Sequence, residues 1–247
     1  MLFDVLVAIT GIVAGGVASV AGFGIGSLLT PVFAFRVGTK VAVAAVSIPH
    51  FVATGYRFWL LRKHVDKRTL LNFGVTSAAG GLSGALLGAY ASSPILTLVF
   101  GSLLVFVGIS ELSGLAGRMR FNGPAAWIAG GLSGLLGGLV GNQGGIRSAA
   151  MLGFELDKET FVATATAIGL VVDFARMPVY LVEEARDILA LWLPITIAVA
   201  ATVAGTVLGK RYLVRLPQSI FRRTVAVLLL LLGAYMLLKG LAPKLAA

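Results

Sequence analysis

The sequence predicts an all-α membrane protein with several transmembrane helices and two homologous halves. The chain of 247 residues is 58% hydrophobic and only 12% charged, whereas soluble chains carry about 25% charged residues. Its apolar runs reach the roughly 20 residues that span a bilayer as a helix. Two glycine-rich stretches, residues 11–31 and 130–150, repeat each other at a separation of 119 residues.

Eight apolar segments follow one another with short connections, so we expect no soluble domain. A transmembrane β-barrel would need segments that alternate apolar and polar residues. Residues 225–232 are instead an unbroken apolar run. The predicted segments are residues 5–35, 39–61, 69–90, 94–113, 124–153, 158–181, 187–209 and 217–239.

Composition excludes several classes of protein. The formal net charge is +10, but basic loops set membrane topology, and no basic patch with interleaved aromatic residues predicts a nucleic-acid partner. Cysteine is absent, so disulfides and Cys-ligated metals are excluded. We find no metal-ligand spacing, P-loop or protease-like cluster, and expect no metal, no cofactor and no enzymatic activity. The N-terminus lacks the basic region of a signal peptide, so the first segment is expected to remain.

The first and fifth segments are too long for one plain helix. Thirty helical residues extend about 45 Å, against a hydrocarbon core of about 30 Å. Glycines interrupt both segments at matching positions, and matching breaks in two halves of a membrane protein indicate a transporter's binding site. The predicted break residues are Gly22, Gly24 and Gly26 in the first half and Gly141, Gly144 and Gly145 in the second.

Helices that begin after these breaks, near Ser27 and Ile146, would direct unpaired N–H groups at them and favour an anion. The second break is the more polar one, because Asn142 and Gln143 offer amide groups and Arg147 brings a fixed charge. These three residues are the leading candidates for substrate ligands. Two alternatives stay open: close-packing glycine faces without a ligand, and an Arg147 that extends to the membrane surface.

The repeat continues beyond the glycines. At the same separation Thr54 aligns with Asp173 and Arg57 with Arg176. Small additional shifts align Gly84 with Gly205, Gly88 with Gly209 and Gly108 with Gly233. A polar joint near Arg118 and Arg120 divides the chain into a first repeat, residues 1–120, and a second, residues 121–247.

Loop charges favour segments that return to the side from which they entered. If the broken segments span the membrane, basic residues divide nine against eight between the two sides. If they are re-entrant, the division is twelve against five, as the positive-inside rule expects. Both termini then lie outside the cytoplasm and the two repeats are inverted, an arrangement suited to alternating access. The twelve are Arg62, Lys63, Lys67, Arg68, Arg118, Arg120, Lys158, Lys210, Arg211, Arg215, Arg222 and Arg223.

Four further residues inside predicted spans are candidates for a functional role. Arg57 and Arg176 are repeat-related candidates for substrate binding. Asp173 lies three residues before Arg176, hence on the same helical face, so a purely structural ion pair is the alternative. His50 could carry protons together with Asp173, or be an ordinary core residue.

The glycine segments are similar to the signature of the sulfite exporter TauE/SafE family, also called the toluene sulfonate uptake permease group. The similarity lies in residues 18–31 (ASVAGFGIGSLLTP) and 134–145 (GLLGGLVGNQGG) and extends to the length and the eight segments. The run 141–145 departs from the family's glycine–isoleucine–glycine–glycine pattern.

This resemblance implies secondary transport of a small sulfur-containing or carboxylic anion across a bacterial inner membrane. We therefore expect a multi-pass permease for sulfite, a sulfonate or a related organic acid, with the anion and the lipid bilayer as its partners. The sequence leaves a homo-oligomer open. It also leaves open a passive anion channel and a membrane accessory subunit that does not transport.

Overall fold

A computed structural model describes residues 1–115, 121, 123–142, 144–154, 156–212 and 217–245. The predicted ligand Gln143 lies outside the described residues. So do Arg118 and Arg120, which mark the predicted joint between the two halves.

The described chain is helical throughout and contains no β-strand. Among the described residues, the α-helices of the first half are α1 (Leu2–Ala21), α2 (Ile25–Val37), α3 (Thr39–Leu61), α4 (Lys67–Tyr90) and α5 (Ser93–Ser113). Those of the second half are α6 (Pro124–Val140), α7 (Gly144–Met151), α8 (Lys158–Glu183), α9 (Ala185–Ala190), α10 (Trp192–Tyr212) and α11 (Gln218–Leu245).

Seven helices within the described residues are long and apolar enough to cross a membrane: α1, α3, α4, α5, α8, α10 and α11. The helices α2 and α6 are apolar but shorter. This confirms the predicted class, an all-α polytopic membrane protein. The predicted segment 187–209 differs in detail, because the chain forms the short helix α9 before α10 begins at Trp192.

Local sequence explains where several helices begin. Pro residues lie in the first turns of α5 and α6, where the missing N–H costs nothing. The Asp157 carboxylate caps α8 by accepting from the N–H groups of Thr160 and Glu159. These hydrogen bonds, from Thr160 first, hold the pKa of Asp157 below its usual value. Asp66 caps α4 in the same way through the Thr69 N–H.

The chain reverses direction at the first glycine break. The rings of Phe3, at the start of α1, and Phe33, near the end of α2, have centroids 5.6 Å apart. Gly24 lies back alongside α1, where an added Cβ would be 2.8 Å from Val17 Cγ1. The helices α1 and α2 therefore form a hairpin that returns to the end at which it began.

The second broken segment also turns back on itself. Phe73 of α4 lies beside both of its ends. A Cβ added to Gly130, early in α6, would be 3.1 Å from the Phe73 carbonyl oxygen. The rings of Phe73 and Phe154, which follows α7, have centroids 6.2 Å apart. Since one residue touches its start and its finish, α6 and α7 form a second hairpin.

The hairpins begin at opposite ends of the helical bundle. End A is marked by the ion pair of Lys40 and Glu184, 3.5 Å apart, and by Lys239, which donates to the Ala34 carbonyl at 2.7 Å. End B is marked by the pair of His64 and Glu159, also 3.5 Å apart, and by that of Arg222 and Glu111 at 2.8 Å. The first hairpin returns to end A and the second to end B.

Glycines bring helices of the two halves into close contact in three pairs: α1 with α10, α6 with α4, and α5 with α11. A Cβ added to Gly15 would overlap the Thr202 carbonyl, and one added to Gly134 would overlap the Ser77 carbonyl. Each hairpin therefore packs on a helix of the other half, so the halves interlock. Such approach of helix backbones is the use of small residues in membranes.

The helix contacts show that the repeat equivalent of Gly205 is not Gly84, as the sequence alignment predicted. Gly80 packs on Gly131, and Gly205 packs on Ile12, which is the repeat equivalent of Gly131. Gly80 and Gly205 are therefore equivalent, and the predicted register, which also paired Gly88 with Gly209, was wrong by about one helical turn.

The predicted pairing of Gly108 with Gly233 agrees with the packing. A Cβ on Gly108 would be 3.0 Å from the Ala226 carbonyl oxygen, just as one on Gly233 would be 3.0 Å from the Gly101 carbonyl oxygen, and both pairs have the separation of Gly80 from Gly205. Gly101 and Gly233 face each other across the α5–α11 contact, where a Cβ on either would be 3.0 Å from the other's carbonyl oxygen. Glycines that recur every few residues fit several registers along a helix. Only the contact with the neighbouring helix selects one.

The close approach at Gly134 predicts a large difference between two glycines of α6. Gly134→Ala should lower the free energy of unfolding by about 1–3 kcal/mol, because its methyl group would enter the Ser77 backbone. Gly131→Ala is the matched control, since its Cβ would lie 3.9 Å from the nearest neighbour, the Thr76 carbonyl oxygen. Thermal unfolding of both variants in one detergent measures the difference; equal midpoints would contradict the interlocked packing.

Candidate functional site at the two helix breaks

The two breaks meet in the middle of the bundle. Gly26, in the first turn of α2, lies against the Gly141 carbonyl, and Gly144, at the start of α7, lies against Phe23. The Ser27 hydroxyl donates to Oδ1 of Asn142 at 3.0 Å. Residues from both halves therefore line one buried junction, as the sequence predicted for a shared site.

The unwound backbone is shorter than predicted. Gly26 lies inside α2, and Gly144 and Gly145 lie inside α7. The helix α2 already begins at Ile25, because the Leu28 N–H donates to the Gly24 carbonyl at 3.0 Å. These three glycines serve close packing, Gly145 against Val107 of α5 among them.

The helices α1 and α6 end in the same way at the two breaks. Gly22 and Gly141 have φ values of 78° and 73°, in the left-handed region that favours glycine. Their N–H groups donate to the carbonyls of Ala18 and Gly137, at 3.0 and 2.9 Å. Both helices therefore stop inside the protein, and the Ala18 and Gly137 carbonyls, each of which has a second lone pair, can accept from further donors.

Arg57 and Arg176 supply those donors. Nη1 of Arg57 donates to the Ala18 carbonyl, and Nη1 of Arg176 donates to the Gly137 carbonyl. In each case 39 residues separate the arginine from the carbonyl. The two arginines thus cap the negative ends of two helix dipoles, one in each half. The structure gives them this structural contact, and a contact with substrate remains a prediction.

Asp173 joins one of these arginines to His50. The Arg176 Nε and Nη2 atoms lie 3.0 and 2.8 Å from Asp173 Oδ1, so the two residues form a buried ion pair. The other carboxylate oxygen, Oδ2, lies 2.6 Å from His50 Nδ1. His50 and Asp173, predicted as a pair that could carry protons, are therefore in direct contact across α3 and α8.

Arg147 extends from α7 into the junction. Its side chain is only 2% exposed, which excludes the alternative that it extends to the membrane surface. Nη2 donates to the Gly22 carbonyl at 3.2 Å. Its Nε and Nη1 atoms and the Nδ2 atom of Asn142 are buried without a hydrogen-bond partner among the described residues. Buried donors of this kind are normally paired, so they are candidates to bind an acceptor.

Among the described residues, positive charge exceeds negative charge at this junction. Arg57 and Arg176 both lie within electrostatic range of Arg147, and the Asp173 carboxylate acts on all three arginines. A buried charge without a counter-ion is costly, so the arrangement suits an anion. Within the described chain, no group of three His, Cys, Asp or Glu side chains could hold a metal ion.

The polar groups belong mainly to the second half. At equivalent positions the first half has Phe23 for Asn142, Leu28 for Arg147 and Thr54 for Asp173. The backbone breaks and arginine caps are thus symmetric, whereas the groups that could bind an anion are not.

Sequence reasoning missed two residues of the site, Ser27 and Tyr180. Ser27 was treated only as a helix start, although a hydroxyl beside a break is a natural partner for Asn142. The Tyr180 hydroxyl donates to the Gly138 carbonyl. Its position four residues after Arg176, on the same face of α8, was the available signal.

The two arginine caps predict unequal losses of stability. Arg57→Gln should cost about 1–3 kcal/mol, because it removes a charged donor from a buried carbonyl. Arg176→Gln should cost about 3–5 kcal/mol, because it also leaves the Asp173 carboxylate without its cation. Adding Asp173→Asn should restore part of the stability lost in Arg176→Gln, but none of that lost in Arg57→Gln. Midpoints of thermal unfolding measure these effects, and equal losses for the two arginines would refute the assignment.

Comparison with known proteins agrees with the architecture of a multi-pass membrane protein. A family model described as Sulfite exporter TauE/SafE matches residues 7–236. No curated protein and no solved structure gave a match. The matched residues cover nearly the whole chain and include both hairpins and all seven long apolar helices. This multi-pass membrane protein therefore belongs to the sulfite exporter TauE/SafE family of membrane transporters.

Proposed function

We propose that this protein is a secondary transporter that binds a small anion where the two helix breaks meet and carries it across the bacterial inner membrane. The observation that supports this most is the buried Arg147, whose Nε and Nη1 atoms lack a partner among the described residues. An anion would satisfy these donors and the Nδ2 atom of Asn142 together.

Two helix N-termini add to the attraction for an anion. The helices α2 and α7 begin at the breaks, at Ile25 and Gly144. Their first N–H groups have no carbonyl within the helix, and the positive end of each dipole faces the break. A helix N-terminus and a guanidinium group together favour the oxygen atoms of a sulfite, sulfonate or carboxylate.

We infer that the repeats, residues 1–120 and 121–247, are inverted and move against each other. The hairpins open toward opposite ends of the bundle, as inversion requires. Basic residues also favour end B as the cytoplasmic side. End B carries Arg62, Lys63, Lys67, Arg68, Arg222 and Arg223, and end A carries Arg36, Lys40, Arg186 and Lys239. Rocking of the interlocked halves would then expose a central site to each side in turn.

Proton coupling through His50 and Asp173 completes the proposal. The carboxylate is shared between the imidazole and Arg176, and its charge also acts on Arg147. Protonation of the His50–Asp173 pair would therefore raise the positive charge near the anion. This gives a direct electrostatic link between proton and anion binding.

Anion binding is tested by thermal-shift titration of the detergent-purified protein with sulfite, sulfate, thiosulfate, taurine, sulfoacetate and short carboxylates. A ligand that binds only the folded protein raises its unfolding temperature. Arg147→Gln should lower the affinity for the best ligand about tenfold to a hundredfold, because it removes a charge-assisted hydrogen bond. Arg62→Gln, at end B, is the control and should bind as the wild type does. Unchanged affinity in Arg147→Gln would refute the site.

Transport mode is tested in proteoliposomes loaded with the best ligand. A carrier exchanges labelled external anion for unlabelled internal anion, so uptake should saturate and show counterflow. A channel would instead give anion currents without counterflow.

Coupling is tested with an imposed pH gradient in the same proteoliposomes. The gradient should change wild-type uptake. His50→Gln should lose that response and should bind the anion with an affinity that no longer depends on pH, because the imidazole carries the proton that links the two binding events. Wild-type uptake that ignores the gradient would contradict proton coupling and leave anion binding standing.

A further inference from the structure

The Arg147 guanidinium lies against α8 at a position where the helix carries no side chain. This position is Gly169, in the middle of that helix. A Cβ added to Gly169 would lie 2.9 Å from Nη1 of Arg147, 3.6 Å from Cζ and 3.7 Å from Nη2. The guanidinium plane therefore lies directly on the backbone of α8, at a distance that even a methyl group would not allow.

Gly169 and the first break hold the guanidinium from two sides. Nη2 donates to the Gly22 carbonyl at 3.2 Å, while Nη1 is the atom closest to Gly169. The unpartnered Nε and Nη1 atoms keep their orientation only while both contacts exist. A side chain on residue 169 would move the guanidinium away from the junction, since the flexible arginine shifts more easily than the packed helix.

The first half has no such glycine. The repeat equivalent of Gly169 is His50, and the equivalent of Arg147 is Leu28, which is buried. A glycine accompanies the arginine in one half, and a large side chain accompanies the leucine in the other. The space beside residue 169 is thus present in the half whose arginine occupies it.

We propose that Gly169 is a positioning residue for the anion site: the absence of its side chain fixes the Arg147 guanidinium against α8 with two donors directed at the bound anion. This proposal rests on the proposed anion site and adds the residue that sets its geometry. Gly169 acts through Arg147 and does not itself bind the anion.

A double-mutant cycle with sulfite as the probe tests this role. Gly169→Ala should weaken sulfite binding about tenfold, comparable with loss of one charge-assisted hydrogen bond. In the Arg147→Gln background the same alanine should change the affinity less than about twofold, because its target is gone. Gly55→Ala is the matched control on α3, where the added Cβ would lie 3.9 Å from the nearest neighbour, Leu170; its affinity should equal the wild type's.

A second cycle without ligand tests the contact itself. Gly169→Ala should lower the unfolding temperature of the wild type but leave that of Arg147→Ala unchanged or higher, since the shortened side chain makes room for the methyl group. Equal changes in both backgrounds would overturn the contact. Wild-type sulfite affinity in Gly169→Ala, or an equal loss in both backgrounds of the sulfite cycle, would overturn the positioning role. If the wild type binds no sulfite, the proposed substrate fails separately and the ligand-free cycle decides the contact alone.

Discussion

Hydrogen bonds from two buried arginines to the ends of two broken helices are the constraint on which the centre of this protein depends. A helix that stops inside a membrane leaves carbonyl groups that no water can satisfy. At Ala18 and Gly137, where the Gly22 and Gly141 N–H groups already donate, Arg57 and Arg176 supply the second hydrogen bond that water would supply at a helix end in solution. The breaks and the arginines therefore require each other, and together they create a charged interior.

The interlocking of the two halves keeps this interior closed. Each hairpin packs its first helix on a helix of the other half, and glycines let the backbones touch. Helices in lipid gain little from hydrophobic burial, so close packing of this kind supplies much of their association. Because each half is held by the other, a movement of one hairpin would be transmitted to the partner half and to both ends of the bundle.

The proposed anion site lies where the two halves differ. The caps at Gly22 and Gly141 are nearly identical, and so are the arginines that complete them. The second half alone adds Asn142, Arg147 and Asp173, while His50 comes from the first half. In the proposed mechanism, the two similar scaffolds provide the alternating movement, and the unequal set of side chains provides the anion site.

Composition by itself determined the membrane class, because 12% charged residues cannot cover a soluble surface of this size. The constant separation of the two glycine stretches located both breaks and the paired Arg57 and Arg176. The register of the glycine helices, the carbonyl partners of the arginines and the space at Gly169 were decided only by the tertiary structure. The reason is physical: periodicity along one segment is a local property, whereas these contacts join residues far apart in the chain, and several arrangements satisfy the same local pattern until packing selects one.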